Sequence, residues 1–381
     1  MNNDELLKKI AGLSPDQKKI LLQRLGYSSG KSTDTTGEQA KDKVPEFNCF
    51  SCDIGNPGSL NISFREAVVA DPPPGHVQVK AKASALNYRD LMIAMGQYPE
   101  VPGIPTNMGS DYAGIVTKVG AGVEEFKAGD EVIALSAGTI IDGKVQPQCH
   151  FINIFNASEL QVVLKPPALS FEESAAIPTV FLTAFAGLVR LANIAEGESV
   201  LIHTATGGVG LAALEIAAWK KAEIFTTAGS PEKRAFLKQK GIAHPMDSRS
   251  LAFGEEIMEM TNGRGVDVVL NTLSGDAMIK GIEILSPFGR FIQIDKKDIA
   301  RNTLLPMNLL GKGVVFAVLD VSLYVIQPRM LKEQLMEIIG LFNAGIFKPI
   351  PCQTFSVGQV KEALNALSRS RHIGKLVLTY P

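Results

Sequence analysis

Three stretches of the sequence carry residue types that could do chemistry. The first is Thr204-Ala205-Thr206-Gly207-Gly208-Val209-Gly210. It follows an apolar run, Ser199-Val200-Leu201-Ile202-His203, and opens an Ala-rich segment that ends near Trp219. A glycine-rich turn between a buried strand and a helix offers main-chain N–H groups and a helix N-terminus to a phosphate. Gly207 would let the backbone approach a pyrophosphate and Gly210 would let helix and strand pack closely, with Thr206, Gly208 and Val209 completing the cradle. Ala205 stands where the common fingerprint has its first glycine. The second stretch is the tip of the next strand, Ala228-Gly229-Ser230-Pro231-Glu232-Lys233-Arg234. A site for NAD has a carboxylate there to accept the ribose hydroxyls. Here Ser230 can donate a hydrogen bond, and Lys233 with Arg234 can neutralise a 2′-phosphate, so the sequence favours NADPH over NADH. The third stretch, Cys49-Phe50-Ser51-Cys52, is a CxxC pair without a second pair or a close His. A structural zinc needs four ligands, so these read as two half-buried cysteines on a leading strand. Cys149-His150 is equally isolated, and no Gly-x-Ser-x-Gly elbow is present.

These residues need elements to position them. From about residue 170 apolar strands alternate with helices: 199–203, 223–227, 266–270 and 289–294 are strand-like, with helices over 210–219 and 232–240. That alternation predicts a parallel doubly wound sheet. Residues 46–135 read differently. Val77-Gln78-Val79-Lys80-Ala81-Lys82 and Gly114-Ile115-Val116-Thr117-Lys118-Val119 alternate with period two around Pro72-Pro73-Pro74-Gly75, which predicts a small β-rich domain. The tail Gly374 to Thr379 is one more strand.

The first 45 residues stand apart. Leu6, Leu7, Ile10 and Leu13 share a helical face, Ser14-Pro15-Asp16-Gln17 starts a second helix, and Gly26 ends it. Residues 27–44 have almost nothing to bury and read as a tether. A short helical hairpin on a tether suits docking to a partner.

Composition narrows the function. Lys+Arg 38 against Asp+Glu 39 leaves a net charge of −1, with no global field to hold nucleic acid or an anionic membrane. The longest mostly apolar stretch, Leu304 to Ile326, is interrupted by Lys312 and Asp320 and does not read as a membrane span. The N-terminus lacks a signal-type apolar core, and four cysteines make no disulfide framework, so a reducing, cytoplasmic compartment is expected.

With these elements in order, Gly109-Ser110-Asp111-Tyr112-Ala113-Gly114, Thr204 to Gly210 and His372-Ile373-Gly374-Lys375 resemble the medium-chain dehydrogenase/reductase superfamily over about residues 46–381. Ala85-Leu86-Asn87-Tyr88-Arg89-Asp90, Val180-Phe181-Leu182-Thr183-Ala184, Asp267 to Gly275 and Arg371 to Lys375 are similar to the enoyl reductase domains of modular polyketide synthases and fatty acid synthases. The resemblance implies a GroES-like substrate domain over 46–167, a Rossmann NADPH-binding domain over 168–345 and a return to the substrate domain over 346–381, after the N-terminal segment 1–45. Zinc-dependent relatives carry Gly-His-Glu where this chain has Gly109-Ser110-Asp111, so the zinc-free branch is implied.

The resemblance also implies a reaction: hydride addition from NADPH to Cβ of an enoyl thioester carried by an acyl carrier protein, then protonation at Cα, beside other polyketide synthase domains. It places Tyr98 near Cα, Asn87 in the same wall, and Lys296 paired with Asp320. It makes Thr183, Asn271, Leu273 and Lys375 cofactor contacts alongside the glycine loop. Asp295 replaces the glycine usual before that lysine, and residues 137–157 depart from the common pattern. Three other readings share the fold. Some relatives close a cyclopropane by hydride addition to a chlorinated enoyl thioester. A free-standing quinone or enone reductase has the same cleft. A non-catalytic NADPH-binding scaffold would keep the fold alone.

Overall fold

The computed structural model describes residues 47–381, except 56–57, 59, 61, 100–105, 137–138, 142–143 and 147–149. The N-terminal helices and tether, and Cys149, lie outside the described residues. The described residues belong to the compact unit Val44–Pro381.

Strands come first. β1 (Phe50–Ile54) pairs antiparallel with β2 (Ile62–Glu66). β3 (His76–Ala85), β4 (Asp111–Val119) and β5 (Glu131–Leu135) form an antiparallel meander. A two-strand hairpin, β6 (Thr139–Ile141) and β7 (Lys144–Gln146), precedes β8 (Ile154–Ser158) and β9 (Val162–Leu164). Six parallel strands follow: β10 (Ser199–Ile202), β11 (Glu223–Ala228), β12 (His244–Asp247), β13 (Val266–Asn271), β14 (Leu285–Gln293) and β15 (Val315–Val318). The chain ends with β16 (Cys352–Ser356) and β17 (Lys375–Thr379).

The parallel sheet has the order β12-β11-β10-β13-β14-β15. This is the doubly wound order that reverses between its first and fourth strands, where a crevice opens beyond the strands' carboxyl ends. Val200, Leu201, Ile202, Val268 and Val269 on the two central strands are fully buried, as strands covered by helices on both faces must be. Ser230 caps the helix Pro231–Gln239 by accepting from the Lys233 N–H, and Pro231 occupies its first turn. The helix Pro178–Phe185 runs on into a π-helical turn at Ala186–Leu191.

The other sheet has the order β16-β17-β3-β4-β5-β9, with β8 added on β3. Its last two strands come from the C-terminus: β17 lies antiparallel to β3, with Val377 opposite Ala85. In the same sheet Ala85 stands opposite Asp111. The end of β3 and the starts of β4 and β17 are therefore neighbours, and Asn87, Asp111 and Lys375 converge from three distant parts of the chain.

Candidate active site

The glycine loop lies at the crevice of the parallel sheet. The helix Gly208–Trp219 begins at Gly208, two residues earlier than the sequence periodicity indicates, with Gly207 as its extended N-cap. A Cβ on Gly210 would sit 2.5 Å from Ala205 Cα and 2.7 Å from the Thr204 carbonyl oxygen, so only glycine lets this helix approach the turn. At Gly207 a Cβ would meet only the Thr204 carbonyl oxygen, 3.5 Å away. Packing explains the first glycine and not the second. An open backbone at a helix N-terminus of this length suits a dinucleotide pyrophosphate, and the chain fits the nicotinamide cofactor that the loop implies.

Thr204 holds the turn in the left-handed region (φ 49°) and its hydroxyl meets that of Thr272 at 2.7 Å across the crevice. Beyond β13, the Asn271 amide braces its own turn. Its Nδ2 donates to the Leu273 carbonyl and to Gln293 Oε1, both at 2.6 Å, and its Oδ1 accepts from the Leu273 N–H at 3.2 Å. Asn271 is fully buried, so it shapes the flank that Leu273 presents. Thr183 is buried in the adjoining helix and donates its hydroxyl to the Thr179 carbonyl at 2.6 Å. Beneath the loop, burial pulls the His203 imidazole down to about 3, so it stays neutral, sharing a 2.9 Å hydrogen bond with Thr227.

At the tip of β11 the two cations read from the sequence part company. Arg234 donates to the Ala228 carbonyl at 3.1 Å and pairs with Asp247 at 3.3 Å, so its charge is already answered. Lys233 reaches the Ser370 carbonyl at 2.7 Å. Burial holds the Lys233 ammonium below its usual range, and the neighbouring charge of Arg249 lowers it further. Arg249 is the residue that sequence reasoning missed. Its Nε lies 3.4 Å from where a Gly229 Cβ would stand, beside Ser248 Oγ at 3.4 Å. Two like charges thus stand near one another at this strand tip.

Where the antiparallel sheet meets the loop the structure is built around a buried lysine. Lys375 Nζ donates to Asn87 Oδ1 at 2.6 Å and lies 3.6 Å from Asp111 Oδ2. Asp111 also accepts from Asn87 Nδ2 at 3.0 Å and from the Thr179 hydroxyl at 2.5 Å. Burial pulls the Lys375 ammonium down, opposed by the charges of Asp111 and Asp90. The ammonium faces Asn87, while the stem fills the space that glycine leaves at position 208, with Lys375 Cδ 2.9 Å from an ideal Cβ there. The Gly374 N–H donates to the Thr206 carbonyl at 2.9 Å, so the start of β17 is pinned to the phosphate loop.

A second cluster links the two sheets. Lys296, after β14, donates to the Tyr98 hydroxyl at 2.7 Å and pairs with Asp320 at 2.6 Å. Asp320 follows β15 and caps the 3₁₀ turn Val321–Ile326, accepting from the Ser322 N–H at 3.0 Å and its hydroxyl at 2.6 Å. Burial pushes the Asp320 carboxyl up, but the hydrogen bonds from Lys296 and Ser322 outweigh it and hold the group below its usual range. Asp295, the unusual neighbour, turns its carboxylate to the Lys297 N–H at 3.1 Å and leaves Lys296 directed at Tyr98. Because the Tyr98 oxygen accepts from Lys296, its own proton is available to another acceptor.

Among the described residues no three His, Cys, Asp or Glu side chains gather as a metal site would need. Cys52 is buried on β1, and burial pushes its thiol up to about 12. No described helix is long and apolar enough to cross a membrane.

Known proteins resemble this chain over the same elements. The alcohol dehydrogenase GroES-like domain family matches residues 73–154 and the zinc-binding dehydrogenase family residues 240–378. The phthioceranic/hydroxyphthioceranic acid synthase of Mycobacterium tuberculosis (strain ATCC 25618 / H37Rv) is 38% identical over 331 residues, 86% of this chain and 15% of the synthase. The chain therefore spans about 15% of the length of such curated relatives. Among solved structures, the CurK enoyl reductase is 34% identical with a TM-score of 0.78, over 87% of this chain and 99% of that one. The CurF ER cyclopropanase from the curacin A biosynthetic pathway is 32% identical with a TM-score of 0.79, over the same shares.

Proposed function

The chain belongs to the medium-chain dehydrogenase/reductase superfamily, alongside the enoyl reductases of polyketide synthases, and on that premise we propose that it reduces the C=C bond of an enoyl thioester with NADPH. The observation that carries this reading is the Tyr98–Lys296–Asp320 line, a proton path reaching across the two sheets. When bound, reduced nicotinamide supplies hydride to Cβ. The electron pair of the C=C bond then moves onto the thioester as an enolate, and this chain's residues finish the reaction. Tyr98 gives its hydroxyl proton to Cα. Lys296 returns a proton to the phenolate oxygen through the hydrogen bond it already makes, and Asp320 keeps that ammonium aimed. Asn87, fixed by Lys375 and Asp111, would form the wall beside this path. Lys233 and Arg249 would take the 2′-phosphate that distinguishes NADPH.

The substrate would arrive on an acyl carrier protein, with other polyketide synthase domains as neighbours, as the synthase relatives suggest. Reductive ring closure on a chlorinated substrate requires the enolate to escape protonation. A phenol already hydrogen-bonded by Lys296 favours protonation, hence simple reduction.

The test uses a 2-methylbut-2-enoyl thioester with NADPH, so that Cα becomes a stereocentre. The wild type is expected to give a saturated product of one configuration. Tyr98→Phe is expected to lose that configurational purity and to slow turnover by about 10²-fold, the usual contribution of a positioned acid, with NADPH affinity retained. Turnover of a free quinone with no turnover of any enoyl thioester would remove the reading. Chloride release from a 4-chloro substrate with formation of a cyclopropane, and no open-chain 4-chloro product, would replace simple reduction by ring closure.

A further inference from the structure

We propose that Arg89 is a positioning residue for Tyr98, holding the ring so that its hydroxyl stays on Lys296; this rests on the protonation reading above. Arg89 lies in the first turn of the helix Tyr88–Ala94. Its Nη1 donates to the Asn107 carbonyl at 2.6 Å. The adjacent Asp90 accepts from the Gly109 N–H at 3.0 Å. Two consecutive side chains thus fasten the helix start to segment 107–109, and one end of the guanidinium is fixed.

From that anchor, Arg89 Cζ stands 5.1 Å from the centre of the Tyr98 ring. This is within the ~6 Å over which a guanidinium and an aromatic ring attract. Lys296 Nζ is 5.0 Å from the same centre but only 2.7 Å from the hydroxyl oxygen, so it approaches by the oxygen. Tyr98 therefore meets two cations in different ways, one through its hydroxyl and one beside its ring. The ring needs such support. Tyr98 lies beyond the helix end, past Gly96 in the left-handed region (φ 65°), outside any helix or strand.

A ring held by one cation and a hydroxyl held by another have little freedom to turn, so the proton is delivered from one direction. Loosening the ring would misplace the hydroxyl at the moment of transfer, which lowers turnover more than substrate affinity.

A helix staple with no part in catalysis would change stability and little else, so the experiment reads chemistry. Arg89→Met, Arg89→Lys, Tyr98→Phe and the double variant Arg89→Met/Tyr98→Phe are assayed with the 2-methylbut-2-enoyl thioester for kcat, KM and Cα configuration, with NADPH affinity as the check on folding. Arg89→Met is expected to lower kcat by about tenfold, to erode configurational purity and to leave NADPH affinity within about twofold. The double variant is expected to match Tyr98→Phe, because both changes remove one function. Arg89→Lys keeps a positive charge but loses the planar fork, and is expected to fall between wild type and Arg89→Met. It tests the idea even where Arg89→Met fails to fold. Losses that multiply in the double variant, or Arg89 variants with wild-type configuration and kcat while Tyr98→Phe is impaired, would overturn this proposal and spare the protonation reading. A Tyr98→Phe enzyme with normal kcat and configuration would overturn both.

Discussion

Two glycines of one loop should fail in opposite ways when each is replaced by alanine. At Gly210 the new Cβ would meet backbone atoms, Ala205 Cα at 2.5 Å and the Thr204 carbonyl oxygen at 2.7 Å. Backbone cannot rotate away as a side-chain tip can, so the helix Gly208–Trp219 must shift by several tenths of an ångström. Overpacking of this kind costs about 1–3 kcal/mol. At Gly207 the new Cβ would have one contact, at 3.5 Å, and φ is −80°, which alanine adopts without strain. Alanine is a poorer N-cap than glycine, but it also reduces the freedom of the unfolded chain, by about 0.4–1 kcal/mol. The two effects nearly cancel. The methyl group instead enters the space where a pyrophosphate would approach the amides. Loss of even one hydrogen bond to a charged group is worth about 1.5–3 kcal/mol, or ten- to a hundredfold in Kd. Fluorescence titration with NADPH and thermal unfolding without cofactor separate the cases. Gly207→Ala is expected to melt within about 2 °C of wild type and to bind NADPH at least tenfold more weakly. Gly210→Ala is expected to melt several degrees lower. Wild-type NADPH affinity in a stable Gly207→Ala protein would refute the assignment of this loop to the pyrophosphate.

Two further outcomes follow from neighbouring groups. Lys233→Ala and Arg249→Ala are each expected to raise the Kd for NADPH about tenfold while leaving NADH within twofold, and Arg234→Ala, already paired with Asp247, to change the ratio little. Titration of both cofactors against the three variants checks this, and equal losses for NADH would remove the phosphate site. His203 sets an acid limit. Its folded value of about 3 lies below the ordinary 6.5, so between those values the unfolded chain binds a proton that the folded one does not. Stability is therefore complete above about pH 6.5 and falls towards pH 3, by up to about 1.4 kcal/mol per pH unit. His203→Gln should flatten that slope in denaturant unfolding measured at successive pH values, and an unchanged slope would show that other groups set it.

The parallel sheet and the glycine loop were legible because each is local. A strand, a turn and a helix within twenty residues carry their own pattern. Arg249 was not legible in that way, being nineteen positions beyond Ser230. Register supplies the missing signal: β12 lies beside β11 with Asp247 opposite Ala228, so the residues just past Asp247 must stand beside the tip. Reading two neighbouring strand ends together would have found it. Asn87 and Lys375 were named from motifs, but their hydrogen bond joins residues 288 positions apart. It exists because the C-terminal strand returns to the first sheet, which periodicity cannot reveal. Lys296, Asp320 and Tyr98 were likewise placed by resemblance, and the physical content, a hydroxyl that accepts from an ammonium, appears only once the loops are folded.

That long-range placement depends on two buried lysines. Lys375 is 4% exposed and Lys332 8%. Burying an ammonium is costly unless its donors find acceptors. Lys332, on the helix Pro328–Asn343 that packs on the parallel-sheet side, donates to the Val162 carbonyl at 2.8 Å and the Glu159 carbonyl at 3.2 Å and pairs with Glu125 at 2.6 Å. Each of those acceptors belongs to the antiparallel-sheet side. Lys375 runs the other way, rooted in the antiparallel sheet with its stem against the phosphate loop. An apolar contact in place of the Lys332 ammonium would bury the same area and leave the two sheets able to slide, because hydrophobic attraction has no direction. Three N–H vectors from one nitrogen do have direction. In the proposed reaction a hydride and a proton must reach adjacent carbons, and a shift of about 1 Å is enough to spoil such an approach. The charged pin at Lys332 is the less stable choice locally and the better one for keeping the two sheets in register.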